Sequence, residues 1–503
     1  MNSVMVIFTI TKAKSKSIQI GTEGNKGNEE RQKKMKLKHT VPPPPPFSPF
    51  VTFVPSCSKT LACIPMTPIP MKNIPSLFSI VCLLLTTTAF ANPEVPGKPQ
   101  EKPIALTNAV IHPVSGDVID RGTILFDKGK IVALGKEVPI PEGAEKIDLD
   151  GKHVYPSLFD AWTDIGLVEI NSVRATVDVQ ESGQFNPNVK AIVAVNPDSE
   201  IIPVTRSNGV LLALTAPHGG LISGKSAVIQ LDGWTWEEMA LLPEAAMHLE
   251  WPRAARGRNS DDEEASATKP DEVVTKLRET FADARAYAAS RNADPNYPLD
   301  ARWEALQPVL AGKLPVVIHA DELIAIQAAV AFADQEKVKV ILHGGYDAPR
   351  CASLLKKHNI PVVVAGVYRV PRRRGDDYDA PYSLPARLHE AGIKFCISSA
   401  GRFGASNVRN LPYHAATAAA YGLAESEALR SVTLSPAEIL GVADRVGSLA
   451  AGKDATLIVT SGDPLETPTQ VTAAFIQGRQ VDLTDRHKRL WKKYEEKYKR
   501  QGP

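Results

Sequence analysis

Apolar residues along this chain come in short runs whose spacing changes with position. Between 105 and 150 they form brief β-type stretches, such as Thr123-Ile124-Leu125-Phe126 and Lys130-Ile131-Val132-Ala133-Leu134, with turns at Ser115-Gly116 and Lys128-Gly129. A similar signal returns near the end, at Ala455-Thr456-Leu457-Ile458-Val459 and Ala473-Ala474-Phe475-Ile476. Between these regions, continuous apolar runs at 154–161, 210–214, 227–231, 314–319, 338–343, 360–365 and 395–399 predict strands. Segments rich in Ala, Leu, Glu and Lys fall between many of them, as at 322–335 and 349–358, and predict helices. Uninterrupted apolar strands alternating with helices are the pattern of a parallel sheet buried on both faces, and a closed barrel is the economical form at this length. Residues 484–500 place Leu490, Trp491, Tyr494 and Tyr498 at helical spacing in a charged background, which predicts a helix docked on the barrel by that stripe, with a membrane-surface role as the secondary reading.

The first ninety residues follow different rules. Residues 1–70 combine a Lys-rich stretch with a proline run at 42–46 and offer too little burial to offset the entropy of folding. From Met71 the pattern is that of a secretory signal peptide: Lys72, an apolar core at 76–85, then Ala89-Phe90-Ala91 as a small-x-small cleavage site before Asn92. That core is shorter than the ~20 residues a membrane span needs, so no stable membrane anchor is expected. These features place the mature protein in the periplasm or outside the cell, and they point to Met71 as the true start of translation.

Composition narrows the chemistry. Of 503 residues, 58 are Lys or Arg and 56 are Asp or Glu, but after Ala91 the balance is 47 to 53, a formal charge of −6. A mildly acidic body gives no electrostatic reason to expect nucleic acid. Only Cys351 and Cys396 remain in the body, too few for a disulfide framework or a thiolate metal cluster. The partner expected is a small-molecule substrate, and the chain could also form a homo-oligomer.

Two motifs bracket the body. Asp148-Leu149-Asp150-Gly151-Lys152-His153-Val154-Tyr155-Pro156-Ser157-Leu158-Phe159-Asp160-Ala161 resembles the opening of the amidohydrolase superfamily barrel. Ser435-Pro436-Ala437-Glu438-Ile439-Leu440-Gly441, with Gly447-Ser448-Leu449 and Gly452-Lys453-Asp454-Ala455, resembles its closing segment. Leu314-Pro315-Val316-Val317-Ile318-His319-Ala320-Asp321 is similar to the imidazolonepropionase-like branch. The resemblance covers about 104–480. It implies a TIM-like (β/α)8 barrel with a small composite β-sandwich built from the N- and C-terminal segments. The organisation expected is an extension at 1–70, a signal peptide at 71–91, sandwich strands at 92–155, the barrel at 156–440, returning sandwich strands at 441–483 and the charged helix at 484–503. It also implies a metal-dependent hydrolase of carbon–nitrogen bonds outside ordinary peptides.

Hydrolysing an amide near neutral pH needs a nucleophile stronger than water, and a divalent metal such as zinc, held by neutral His and carboxylate, supplies one. The family pattern puts His-x-His on the first strand, where period two turns both rings inward. Here those positions read Trp162-Thr163-Asp164, and an indole N–H is only a donor. The fifth- and sixth-strand positions hold His319 and His343, while the eighth-strand aspartate is replaced by Ala400-Gly401. Two readings stay open. Asp164, His319 and His343 could form a catalytic three-ligand metal site, or the two histidines could line a metal-free pocket. The first gives an exported hydrolase of small or cyclic amides. The second gives a non-catalytic small-molecule-binding relative, and a phosphotriester or lactone hydrolase of the same fold is a further variant.

Other candidates are weaker. Arg372, Arg373 and Arg374, followed by Asp376, Asp377 and Asp379, read as a mixed-charge solvated loop that could alternatively clamp a substrate anion. His218 and His414 are pocket candidates, though lone histidines are commonly structural. Gly219-Gly220-Leu221-Ile222-Ser223-Gly224-Lys225-Ser226 matches the letters of a nucleotide-binding P-loop, but that loop must open a helix, and 227–233 reads as a strand ending in a turn. Residues 253–275, with four consecutive acids at 261–264, read as a solvated insertion.

Overall fold

The computed structural model describes residues 95–252, 270–401 and 404–501. The N-terminal extension, the signal segment and most of the acidic insertion lie outside the described residues. Residues 270–275, the end of that insertion, open the helix α2 (Pro270–Ala293) named below.

A composite sheet is built from both ends of the chain. Its strands are β1 (Ile104–Ile111), β2 (Ile119–Asp127), β3 (Lys130–Gly135), β4 (Glu145–Asp148) and β5 (His153–Pro156), joined by β14 (Leu457–Thr460), β15 (Val471–Ile476) and β16 (Arg479–Gln480). The order is β16-β15-β14-β5-β1-β2-β3, with β4 also paired to β1. β5 is the seam between the two ends, running antiparallel to β14 and parallel to β1. Phe126 and Phe475, one from each end, meet edge to face at 5.2 Å inside its apolar core.

The barrel sheet follows chain order: β6 (Leu158–Thr163), β7 (Val210–Thr215), β8 (Ile222–Gln230), β9 (Ala240–Glu250), β10 (Val316–Ala320), β11 (Val340–Gly344), β12 (Val362–Ala365) and β13 (Phe395–Ser398). The chain thus adopts the TIM-like barrel that the apolar runs predict, with two differences. β8 runs antiparallel to both neighbours, whereas all other neighbouring barrel strands run parallel. A parallel crossover needs about a dozen residues or more, and only 216–221 link β7 to β8, so the chain turns straight back. Gly219 and Gly220 hold that turn at φ of +88° and +70°, which is why the P-loop-like segment is a hairpin and not a phosphate cradle. The second difference is β9, whose Ala, Leu, Glu and Met favour helix, yet which the barrel holds as a strand.

Two packed layers result. Phe159, Leu212, Val228, Ala246, Val317, Ile341, Val363 and Cys396 fill the inside of the barrel. The outer strand faces pack against helices, among them α1 (Ile201–Arg206), α2 (Pro270–Ala293) and α3 (Leu323–Glu336). At the seam the Asp160 carboxylate accepts hydrogen bonds from the backbone N–H and hydroxyl of Ser399 and the N–H of Trp162. Burial pushes the Asp160 carboxyl up to about 7, against those hydrogen bonds.

The terminal helix α4 (Arg486–Gln501) corrects a further expectation. It has no buried residue, and its Leu490, Trp491, Tyr494 and Tyr498 are exposed, not docked. Polar contacts hold its first turns, Arg489 to Glu200 at 3.0 Å and His487 to Arg409 at 3.2 Å.

Candidate active site

Period two decides which side chains reach the mouth. Val317, Ile341 and Ala246 belong to the inner core, so two residues further on His319, His343 and His248 point the same way, at the C-terminal ends of their strands. The ladders fix their lateral relation, since His319 lies opposite His343 across β10–β11 and opposite Glu250 across β9–β10.

The imidazoles form a chain. His319 Nδ1 lies 2.9 Å from His343 Nδ1, and His319 Nε2 lies 3.2 Å from His248 Nδ1. Glu250 Oε1 is 3.6 Å from His319 Nδ1. Burial, reinforced by the neighbouring imidazoles, holds His343 and His248 well below the usual histidine value, so both stay neutral. Trp162 stacks on His343 with ring centroids 4.6 Å apart and presents its edge to His319 and His218. Its indole N–H is buried without a hydrogen-bond partner among the described residues.

Asp164 takes a different direction. It is buried against Gly404, where a Cβ would come within 2.6 Å of its Oδ1, and its Oδ2 lies 3.9 Å from His218 Nε2. Burial raises Asp164 and lowers His218, favouring the uncharged form of each against their mutual attraction. The structure therefore joins His319 to His343 and pairs Asp164 with His218. The resemblance carried by the sequence motifs implies a divalent metal, and a catalytic zinc takes three protein ligands. Among the described residues no group of three or more His, Cys, Asp or Glu side chains is arranged to hold an ion, so the donors present do not fit an intact centre.

Trp162, His218, Glu250, His319 and His343 line a cavity of about 650 Å³, while His248 and Asp164 are buried outside its lining. Trp162, Trp251, Ile324 and Tyr368 supply apolar walls, and Ala400 and Gly401 leave the eighth-strand side without a carboxylate. The arginine segment is not simply solvated. Arg369 grips Asp321 with both terminal nitrogens at 2.7 and 3.3 Å, Arg372 reaches Asp321 at 2.7 Å, and Arg373 pairs with Asp347. Burial alone would raise Asp321, but these guanidiniums hold it below its usual value. Arg374 is exposed, while His414 sits behind the wall, accepting from the Val367 N–H at 3.0 Å, and burial lowers it to about 4.

Sequence reasoning missed His248 and Glu250. The signal was present in His248-Leu249-Glu250, a period-two polar pair ending the apolar stretch from Ala245, but the helix-forming composition of 240–250 hid the strand.

Comparison with known proteins agrees with this architecture. The model of the amidohydrolase family matches residues 207–482. An amidohydrolase from Thermotoga maritima MSB8 superposes with a TM-score of 0.68 at 26% identity, covering 75% of this chain and 99% of that one. The imidazolonepropionase of Mesorhizobium japonicum is 26% identical over 407 residues, 75% of this chain and 92% of that protein. The amidohydrolase tasK of Hapsidospora irregularis is 24% identical over 391 residues, 71% of this chain but only 39% of that longer protein. Taken with the barrel and the paired strand-end histidines, these matches show that the chain belongs to the amidohydrolase family of hydrolases acting on carbon–nitrogen bonds, on its imidazolonepropionase-like branch.

Proposed function

We propose that this protein is an exported hydrolase of small, non-peptide carbon–nitrogen bonds, cyclic amides included, working through a remodelled site. The observation that carries this reading is the 2.9 Å approach of His319 to His343 at the floor of the cavity. The exported address rests on the signal pattern at 71–91.

Neutral imidazole is the right base for water near pH 7. His343 takes a proton from water as the oxygen bonds the carbonyl carbon; burial opposes its charged form, so the imidazolium is carried by the contact with His319 and the nearby Glu250 carboxylate. The proton then passes to the departing nitrogen as the C–N bond breaks. His319 is oriented by Glu250 and His248 and shares the proton through its contact with His343. The Trp162 N–H, buried without a partner among the described residues, is the donor assigned to the developing oxyanion once substrate displaces the atoms that cover it. The walls suit an uncharged, partly apolar substrate.

A second reading has one observation behind it. Ala400 and Gly401 stand where the family's eighth-strand carboxylate is expected, which suits a barrel that binds a small molecule without turning it over. The test is an assay of cyclic amides, N-acyl amino acids, lactones and an aryl phosphotriester on the expressed full chain, with and without chelator, beside elemental analysis. Turnover of an amide, lost in H319A and H343A, supports the proposal. Turnover confined to the ester substrates moves it to the ester branch, and a folded but inert protein that still binds a small ligand overturns it. Mass spectrometry of the exported product should find Asn92 at the N-terminus.

A further inference from the structure

The terminal helix α4 presents a surface that the hydrolytic site does not use. Its first turn is fastened by Asp485, whose Oδ1 accepts from the Lys488 N–H at 3.0 Å, and by the salt bridge between Arg489 and Glu200. Beyond these contacts every residue is at least partly exposed. Leu490, Trp491, Tyr494 and Tyr498 fall along one face, and the two outermost rings are each 63% exposed. Lys488 and Lys499 flank the stripe beside Trp491, Lys493 flanks its other edge, and Arg489, Lys492 and Arg500 lie on the opposite face. Lys497 lays its ammonium over the Tyr494 and Tyr498 rings at 5.9 and 5.6 Å, so cation and aromatic stripe form one continuous surface.

The charge is as uneven as the hydropathy. The sixteen residues of α4 carry eight basic and two acidic side chains, a formal +6, whereas residues 92–485 carry −12. An anionic plane would attract the helix and repel the rest of the protein, which orients the molecule. The apolar stripe is one leucine and three amphipathic rings, the kind of side chains that settle at headgroup depth. It is too small to hold a bilayer by burial alone, so attachment must lean on charge. No helix among the described residues is long and apolar enough to cross a membrane.

We propose that α4 is an interfacial helix that docks the protein reversibly on an anionic lipid bilayer through Trp491, Tyr494 and Tyr498, with its lysines and arginines on phosphate headgroups. This stands independently of the reaction proposed above. The experiment is co-sedimentation of the full chain with vesicles of phosphatidylcholine alone or with about one-third phosphatidylglycerol, at low salt and at roughly 0.5 M salt. The expected result is partitioning about tenfold or more stronger on the anionic vesicles, falling to the neutral level at high salt. K492E/K493E/K499E and W491S/Y498S should each abolish it while far-ultraviolet circular dichroism shows the fold intact. Equal partitioning on both vesicle types, no partitioning on either, or variants that bind like the parent would overturn the proposal. So would a salt-insensitive dimer seen by light scattering and lost in W491S/Y498S, or binding to a short DNA duplex stronger than to the anionic vesicles.

Discussion

The two halves of the barrel mouth are held by different means. On the β10–β11 side a parallel ladder sets His319 opposite His343, and the backbone alone fixes the spacing of the two rings. On the β6–β13 side the β6–β7 register slips between Asp160 and Thr163, and the seam depends on one buried carboxylate. There Trp162, Ala400 and Gly401 stand where the family places donors. The difference teaches that chemistry at such a mouth is modular by strand: a ladder preserves a pair of side chains while substitutions across the barrel dismantle the rest of the donor set.

The comparison breaks most sharply if the ladder side is unnecessary. H343A should lower kcat by about 10²- to 10⁴-fold, the range of a lost general base, while the barrel still unfolds cooperatively. Full activity in that variant would move the chemistry elsewhere. On the opposite side, W162F keeps the stacked ring but loses the N–H, and kcat should fall by about 10²-fold with KM little changed. A rise in KM alone would make Trp162 a binding wall.

A third test reads the arginine segment over the cavity. D321N removes the carboxylate that both Arg369 and Arg372 grip and leaves Arg372 its contact with Glu322, and because the cluster is partly exposed the expected loss is about 2 kcal/mol in urea unfolding. An unchanged midpoint would mean that the segment is held by its backbone.

The last tests are slopes with pH, of opposite sign on two buried groups. His414 stays neutral in the fold down to about 4, whereas the unfolded chain protonates it near 6.5. Stability therefore drops as pH falls from 6.5 towards 4, and H414Q should flatten that slope. Asp160 stays protonated up to about 7, whereas the unfolded chain ionises it near 3.8. Its contribution is present below 3.8 and lost as pH rises towards 7, and D160N should remove that loss. Urea midpoints between pH 4 and 8 separate the two, and parallel curves for parent and variants would refute both assignments.

Much of this was legible beforehand. The apolar runs at 210–214, 314–319, 338–343, 360–365 and 395–399 each fall on a barrel strand, because a strand buried on both faces leaves little room for polar residues. His319 and His343 were legible for the same reason, as the first polar side chains after such runs. β9 was not, since tertiary pairing overrides the helix propensity of Ala, Leu, Glu and Met, and His248 and Glu250 were hidden with it. Nor did the spacing of Leu490, Trp491, Tyr494 and Tyr498 tell a docked stripe from an exposed one, because periodicity fixes a face and not what covers it.

By itself the sequence determined the alternation of buried strands and helices, the two bracketing β segments and the pair of strand-end imidazoles, all consequences of local periodicity. Only the tertiary structure decided that the third strand runs backwards, that Asp164 turns to His218, that Glu250 joins the cavity lining and that His248 backs His319 from beneath it. Those outcomes depend on loop length, ladder register and contacts between residues far apart in the chain, which no local pattern encodes.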